Sequence, residues 1–375
     1  MKILMIIPTL DFGGAQNIAV GLAEEAYLKG YSIYFISFFG SNLYSDRLSN
    51  IDAKVVNLKF NYSFSNPFMV LNLSKKLKNN IKLINPDLIH THLFLTKLLL
   101  SFNLIKHKAP IIDTQHDMSP WWTSRGANNK LKTSIEKYFA NKKATYIVAI
   151  SKNVRDGVKK HLNVPSSKVE VIYNFVEPYI YKNQLEKPKS EIVEIYMITR
   201  LDMQKKGLDL VISIISYLVY NLKVTTFKIN IVGDGPDRVK LEQLVSENKL
   251  HNYFNFEGYK KNVYKYYNMA DIIMLTSRWE GFGLTAAEAA MSGTAALAFD
   301  VPGLNEVIKN NETGLLVPAF NTEKYAEKLA DLIHDIDLRH TLSRNAKVDA
   351  KKRFNKANAF NKYNEKYNYY TENKI

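Results

Sequence analysis

The chain has 375 residues, too many for one ordinary hydrophobic core and suited to two domains of roughly 150 to 200 residues each. It contains no cysteine, which excludes disulfides, thiolate metal sites and cysteine nucleophiles and fits a reducing compartment, by default the cytoplasm. Lysine and arginine exceed aspartate and glutamate by 51 − 36 = 15, so the surface favours phosphate-rich partners (nucleotides, nucleic acid or anionic lipid), among which charge alone does not choose.

Residues 1–10 form an apolar run broken by Pro8, shorter than a signal-peptide core with its cleavage site, and read as a buried strand. Short β-branched or aromatic runs then alternate with longer amphipathic stretches, the pattern of repeated βαβ units. Strands are expected at 2–8, 32–38, 88–92, 110–116, 145–151 and 169–174, with helices such as 15–29, closed by Gly30, and 67–84, ending before Asn85-Pro86-Asp87. The stretch 177–190 carries Pro178, Pro188 and mixed charges without a period and reads as a linker. A second series follows, with strands at 192–198, 227–232, 255–257, 271–276, 294–299 and 315–317 and helices near 207–220, 237–248 and 284–292. The residues after 351 are rich in Lys, Asn and Tyr at helical spacing; Tyr363, Tyr367 and Tyr370 share one helical face, which reads first as a packing face.

This pattern predicts an α/β fold of two doubly wound Rossmann-like domains facing across a cleft: the first over 1–178, the second over 190–355, with a helix from about 356 packing back on the first. No uncharged apolar stretch approaches the roughly 18 residues of a membrane span, because Lys97 interrupts the best candidate at 93–105, so a soluble or peripheral protein is expected.

The strongest chemical signal is Ser277-Arg278-Trp279-Glu280-Gly281-Phe282-Gly283-Leu284-Thr285-Ala286-Ala287-Glu288, placed after a strand and opening a helix that Gly293 closes. Glycines let the backbone approach a ligand, and free amides of Phe282, Gly283 and Leu284 at a helix N-terminus form an anion cradle that a diphosphate would fit. Glu280 before the helix and Glu288 inside it bring carboxylates beside that cradle. An ionised carboxylate accepts bonds from sugar and ribose hydroxyls, so one glutamate suits a transferred sugar and the other a ribose. The plainer alternative for either is an acid that complements the helix dipole.

Thr199-Arg200-Leu201, followed by Lys206-Gly207, comes after the first strand of the second series, where a switch-point ligand sits. Cations at that point stabilise a departing nucleoside diphosphate without a divalent metal, the alternative being a solvated basic loop; Lys205 adjoins Lys206, so either lysine could reach the phosphate. No Asp-x-Asp stands at a strand end, in agreement with Arg200, Lys206 and helix amides taking a metal's place, and no metal and no cofactor are expected. His90 and His92 alternate on one strand and point to one face, which suits structural or acceptor-side roles over metal ligation. His116 ends a strand of the first domain and is followed by Asp117; near its ordinary pKa a histidine there could donate a hydrogen bond or assist a proton transfer. Gly13 and Gly14 make a tight turn that a substrate phosphate could approach, and Gln16, opening the next helix, reads as simply solvated.

Taken in order and spacing, Gly13-Gly14, Thr114-Gln115-His116-Asp117, Thr199-Arg200-Leu201 with Lys206-Gly207, Val232-Gly233-Asp234-Gly235-Pro236 and the Glu280-x7-Glu288 pair resemble the family-4 glycosyltransferases along nearly the whole chain. The resemblance implies a retaining GT-B enzyme that moves a hexose or N-acetylhexosamine from a nucleotide diphosphate sugar, UDP by preference, to a glycan or polyprenyl-linked acceptor hydroxyl in cell-surface polysaccharide synthesis. It assigns Glu280, His116, Arg200 and Lys206 to catalysis, with His116 at the donor sugar. Donor binding falls to Gly14, Arg200, Lys206, Gly258, Tyr259, Glu280, Gly281, Phe282, Gly283, Leu284 and Glu288, with Gly258 and Tyr259 near the base. Glu306 matches an acidic loop position, although Pro302 stands where a second glycine is common in the family.

Lys75, Lys76, Lys78 and Lys82 lie among Phe68, Val70, Leu71, Leu77 and Ile81, a basic amphipathic helix that suits either anionic lipid or plain solvation above a core stripe. Peripheral contact with the inner face of the cell membrane is therefore an expectation. Trp121 and Trp122 suit an acceptor surface or a loop-core contact equally. The rivals are a nucleotide-sugar epimerase of similar fold and a basic nucleic-acid-binding protein. The second leaves Glu280 and Glu288 unexplained, so nucleic acid is not an expected partner.

Overall fold

A computed structural model describes residues 1–60, 70–102, 108–123, 126–177 and 191–373, together with the helical backbone at 67–69. The linker expected at 177–190 falls, after Glu177, outside the described residues, as does the side chain of Phe68. The chain divides into two compact units, Met1–Phe175 with Lys356–Ile375, and Val176–Asn355.

Unit 1 is built on a seven-stranded sheet: β1 (Lys2–Ile6), β2 (Ser32–Ser37), β3 (Lys54–Asn57), β4 (Leu88–His92), β5 (Ile111–Gln115), β6 (Tyr146–Ala149) and β7 (Val169–Val171). Their order is β3-β2-β1-β4-β5-β6-β7, and every pair is parallel. Unit 2 holds β8 (Val193–Ile198), β9 (Phe227–Val232), β10 (Phe254–Gly258), β11 (Ile272–Leu275), β12 (Ala295–Phe299) and β13 (Leu315–Val317), in the order β10-β9-β8-β11-β12-β13, again all parallel. In each sheet the order reverses beside the first strand, so ligands are offered a crevice at the carboxyl ends of β1 and β4, and of β8 and β11. Each unit is thus a doubly wound parallel α/β domain, as the sequence pattern predicts.

Buried on both faces, β1, β11 and β12 carry apolar runs rather than alternation. Ile3 to Ile7, Ile272, Ile273 and Ala295 to Phe299 are essentially without solvent contact. The edge strand β3 is not predicted from the sequence: it has four residues, two of them apolar, and is only half-buried, so no hydrophobic pattern marks it. Ser151, expected to end a strand, instead caps the helix Lys152–Leu162 by accepting the Val154 amide at 3.1 Å.

The last helix, Lys356–Glu372, belongs to unit 1 and packs on the helix Gly14–Leu28, where Lys356 Nζ reaches Glu24 Oε2 at 2.6 Å. Tyr363 and Tyr367 are buried against the sheet; Tyr370 is only partly covered. In the helix Pro67–Ile84, Leu73, Leu77 and Ile81 face the core, while Lys75, Lys76 and Lys82 are exposed together with Leu71 and Leu83. Among the described residues no helix is long and apolar enough to cross a membrane.

Candidate functional site

Unit 2 gathers the charged motif residues where β8 and β11, neighbours in the sheet, release their chains. After β8 the chain turns through Thr199, Arg200 and Leu201 into the short helix Met203–Lys206. This turn runs against the loop after β9: a Cβ at Gly233 would stand 1.8 Å from the Thr199 carbonyl oxygen, and one at Gly235 would stand 2.3 Å from that of Leu201. Gly233 also has φ +143°, so glycine answers both the approach and the backbone angle. Four groups hold the short helix. Asp202 accepts the Lys205 amide (2.9 Å), Asp237 accepts the Met203 amide (2.7 Å), and the Thr276 hydroxyl donates to the Lys206 carbonyl (2.8 Å). Arg278 donates to the carbonyls of Met203 and Gln204 while forking onto both oxygens of Asp209, at 2.9 and 2.6 Å.

So held, Lys206 donates from Nζ to Glu280 Oε1 at 2.6 Å, and Ser277 Oγ donates to the same oxygen at 2.7 Å. The two charged side chains are 19 % and 15 % exposed, which leaves them open to a ligand while largely drained of solvent. Burial alone would raise the Glu280 carboxyl, but the Lys206 ammonium and the bonds from Lys206 and Ser277 outweigh it and hold Glu280 below the usual carboxylate range. Behind Glu280 the backbone is fixed by Gly303, φ +89°, whose missing Cβ would stand 2.5 Å from the Glu280 carbonyl oxygen; the Glu280 amide donates to Pro302 at 3.2 Å. The Gly303 loop thus supports Glu280, with Pro302 supplying a carbonyl, and the carbonyl of its Glu306 accepts from Arg353.

The helix Leu284–Ser292 begins at Gly283 (φ +91°) with no side-chain cap, and the first amide bonded back along the helix is that of Ala287, to Gly283. The amides of Leu284, Thr285 and Ala286 therefore lack intrahelical partners, the usual anion-binding arrangement of a helix start. The Phe282 ring is 2 % exposed and meets Phe354 edge-on at 5.3 Å, so it anchors this turn in the core and only its backbone can line a site. Gly281 is buried beside it. Glu288, one turn in, accepts a 2.6 Å hydrogen bond from the buried Tyr267 hydroxyl. Burial pushes its carboxyl up to about 7, against the downward pull of hydrogen bonds from Tyr267 and Tyr264, so near neutrality it is no permanently ionised acceptor. This departs from the sequence reading, which took both glutamates as carboxylates; burial among tyrosines is the cause. Arg200 is exposed and has no ion-pair partner among the described residues. Gly258 ends β10 with φ +71°, its carbonyl accepting the Gly233 amide at 2.9 Å, and the adjacent Tyr259 is 58 % exposed.

In unit 1, Gly14 opens the helix Gly14–Leu28 at the carboxyl end of β1, again without a side-chain cap. Gln16, read as solvated, is instead 8 % exposed, and its amide occupies the space a Cβ on Gly13 would need. The alternation of β4 and β5 sorts polar groups onto two faces. On one, the His90 ring is held between Thr114 Oγ1 (2.8 Å from Nε2) and Tyr367 OH (2.7 Å from Nδ1), so both of its nitrogens have structural partners. His92 Nδ1 lies 2.9 Å from His116 Nε2. Burial first, then the Lys97 charge, pushes His116 down to about 3, so it is neutral at physiological pH. On the other face, Lys97 is buried among Gln115, Asp113 (3.1 Å) and Glu136 (3.4 Å). Glu136 also accepts the indole N–H groups of Trp121 and Trp122, at 2.8 and 2.6 Å. Burial alone would lower Lys97, but the two carboxylates more than compensate and raise it. A cavity of about 330 Å³ is lined by His116, Asp117, Gln115, Phe94, Trp121 and Glu136 among others.

Several participants were not assigned roles from sequence. The Asp209–Arg278 fork, Tyr267 beneath Glu288 and the Lys97–Asp113–Glu136 cluster join residues far apart in the chain; Arg278 lay within the motif and Gly303 beside Pro302, but nothing in their spacing named their partners.

Two family models together span most of the chain: Glycosyltransferase Family 4 matches residues 12–179 and Glycosyl transferases group 1 matches residues 180–349. The chain is 24 % identical over 364 residues to N-acetyl-alpha-D-glucosaminyl L-malate synthase from Bacillus anthracis, covering 94 % of this chain and 92 % of that protein. It is 27 % identical over 360 residues, 94 % of each chain, to the GalNAc-alpha-(1->4)-GalNAc-alpha-(1->3)-diNAcBac-PP-undecaprenol alpha-1,4-N-acetyl-D-galactosaminyltransferase of Campylobacter jejuni. Its fold matches the crystal structure of HepE from Anabaena in complex with UDP and glucose with a TM-score of 0.82 at 20 % identity, covering 98 % of this chain and 99 % of that one. The paired models, the relatives aligned end to end and the shared two-sheet fold lead to one assignment: the chain belongs to the group 1, family 4 glycosyltransferases of GT-B type.

Proposed function

We propose that the chain is a metal-independent, retaining transferase that moves a hexose or N-acetylhexosamine from a UDP sugar to a hydroxyl of a lipid-linked glycan acceptor in cell-surface polysaccharide synthesis. The observation that carries the reading is the Lys206–Glu280 pair, 2.6 Å apart at the sheet crevice of unit 2, with the uncapped helix start at Gly283 only three residues beyond Glu280. A nucleoside diphosphate gains negative charge as its glycosidic bond breaks, and fixed cations and amides stabilise that charge without reorganising. Lys206, Arg200 and the amides at Leu284 to Ala286 take this role, while Glu280, kept ionised, accepts from the sugar hydroxyls. The bond from anomeric carbon to phosphate oxygen breaks, the acceptor oxygen bonds to the same face, and the departing phosphate oxygen takes the acceptor's proton. No covalent nucleophile is needed.

For the donor, the support is likeness to HepE, whose complex contains UDP and glucose. For the acceptor, it is the Campylobacter relative named for a PP-undecaprenol substrate, together with two adjoining features of unit 1. The polar cavity at His116 shares Phe94 with an apolar groove of about 970 Å³, lined by Leu71, Leu98, Phe102, Leu131 and Ile135 among others. The Lys132 ammonium lies 5.0 Å from the Trp121 ring at this junction. An amphiphile with an anionic link between sugar and hydrocarbon suits that sequence of surfaces. The exposed lysines of the helix Pro67–Ile84 would each add about 1 kcal/mol of attraction to an anionic leaflet, in keeping with a cytoplasmic enzyme held peripherally at the membrane.

The test is proton NMR of the product formed from an α-linked UDP sugar and a detergent-solubilised polyprenyl-diphosphate glycan. An acceptor-dependent α-linked product is expected. A β-linked product sinks retention, loss of activity on chelation sinks metal independence, and UDP release that ignores acceptor points to the epimerase-like alternative.

A further inference from the structure

His92 lies in β4 without solvent contact, its ring 4.3 Å from that of His90 and 5.2 Å from that of His116. Burial, and then the neighbouring His90, His116 and Lys97, hold His92 well below the usual histidine range, and His116 is likewise depressed. Both rings are therefore neutral, each with one N–H, and a single proton lies between His92 Nδ1 and His116 Nε2 across 2.9 Å.

Which ring donates is decided by the other end of His92. Its Nε2 is buried and has no hydrogen-bond partner among the described residues. If His116 donated, the His92 proton would have to sit on Nε2, as an N–H buried with nothing to bond. An orphaned N–H is the rarer defect in folded proteins; an under-satisfied acceptor is better tolerated. The favoured arrangement puts the His92 proton on Nδ1, donating to His116 Nε2, and His116 then carries its own proton on Nδ1, which has no hydrogen-bond partner among the described residues. His90, fixed at both nitrogens by Thr114 and Tyr367, packs against His92 and keeps its ring from turning.

We propose that His92 is a positioning residue that fixes His116 as the Nδ1–H tautomer, so that His116 meets a substrate oxygen as a hydrogen-bond donor and not as a proton acceptor. The inference rests on the reading above that His116 faces substrate. It also resolves the two roles left open by sequence, since a ring whose Nε2 lone pair already accepts from His92 has none left to take a proton from an acceptor hydroxyl.

The experiment uses the full chain labelled with ¹⁵N-histidine. Long-range ¹H–¹⁵N correlation, with His116 assigned by comparison with His116→Gln, reads its tautomer directly. Protonation at Nδ1 is expected; protonation at Nε2, or a charged ring at pH 7, overturns the proposal. Kinetics supply the second readout. His92→Asn keeps an N–H donor close to the Nδ1 position and should hold kcat within about threefold, whereas His92→Leu, which cannot donate, should lower it about tenfold or more. Equal activity in His92→Leu overturns the role of His92. UDP-induced stabilisation of the wild type, read separately, reports on the transferase assignment and leaves the tautomer result intact.

Discussion

Lys206 and Glu280 stand 74 positions apart in the chain, yet Lys206 Nζ lies 2.6 Å from Glu280 Oε1, because each follows one of two adjacent parallel strands. The pair keeps the glutamate ionised and the lysine aimed. Glu280 has a carboxyl depressed below its ordinary 4.5, so its contribution to stability is present above that value and is lost as pH falls through the lower folded value. Lys206→Met is expected to cost about 1–3 kcal/mol at pH 7, the range for a hydrogen bond to a charged group. In urea titrations the gap between wild type and variant should shrink as pH is lowered below 4.5. A pH-independent gap contradicts the pairing.

Gly303→Ala tests the support behind Glu280. A Cβ would collide with the Glu280 carbonyl oxygen at 2.5 Å, and φ +89° disfavours any side chain. The variant should lose at least about 1–3 kcal/mol of stability by thermal or chemical denaturation. The closeness of backbone to backbone leaves no flexible group to move aside, so an unchanged midpoint would mean that this loop does not hold Glu280 as described.

Glu288→Gln probes the buried carboxyl beside Tyr267. Its folded pKa of about 7 lies above the ordinary 4.5, so the stability advantage of protonation is fully present below 4.5 and lost as pH rises through 7. Glutamine accepts the Tyr267 hydroxyl at any pH. Relative to wild type, the variant should therefore gain stability between pH 5 and pH 8, by up to about 3 kcal/mol on the scale of 1.36 kcal/mol per pH unit. Parallel stability curves across that range would show that Glu288 is ionised throughout.

Arg278→Lys removes the fork onto Asp209 and the bonds to the carbonyls of Met203 and Gln204. Lysine is a point charge that cannot reproduce that geometry. Because these contacts orient the short helix carrying Lys206, transfer activity should fall about tenfold or more, in keeping with the sensitivity of catalysis to a misplaced group. Steady-state kinetics check this; an unaltered kcat/KM would show that the fork is ornamental to Lys206.

Much of this was legible in the sequence. The apolar runs of β1, β8 and β11 announced buried parallel strands, and the Glu280 motif and Lys206-Gly207 could be placed at the carboxyl ends of β11 and β8 before any partner was known. That His90 and His92 share a face follows from strand alternation, and their partners His116, Thr114 and Tyr367 confirm that geometry. What was hidden depends on register and side-chain reach. Tyr267 could not be matched to Glu288, nor Asp209 to Arg278, because no local pattern encodes a contact across neighbouring elements. Lys97 was visible only as a charge interrupting an apolar stretch; the sheet register that brings Asp113 and Gln115 beside it supplies the reason it can be buried. The short edge strand β3 failed for the opposite cause, since it buries too little to leave a signature.

The most direct measurement is isothermal titration of UDP and UDP sugars into the wild-type chain and Lys206→Ala. The wild type should bind at least one of these ligands, and removal of the lysine should weaken binding about tenfold or more, as expected for loss of a charge-assisted contact to phosphate. Absence of binding by the wild type, or equal affinity in the variant, would contradict a diphosphate site built on Lys206 and the helix that follows Glu280.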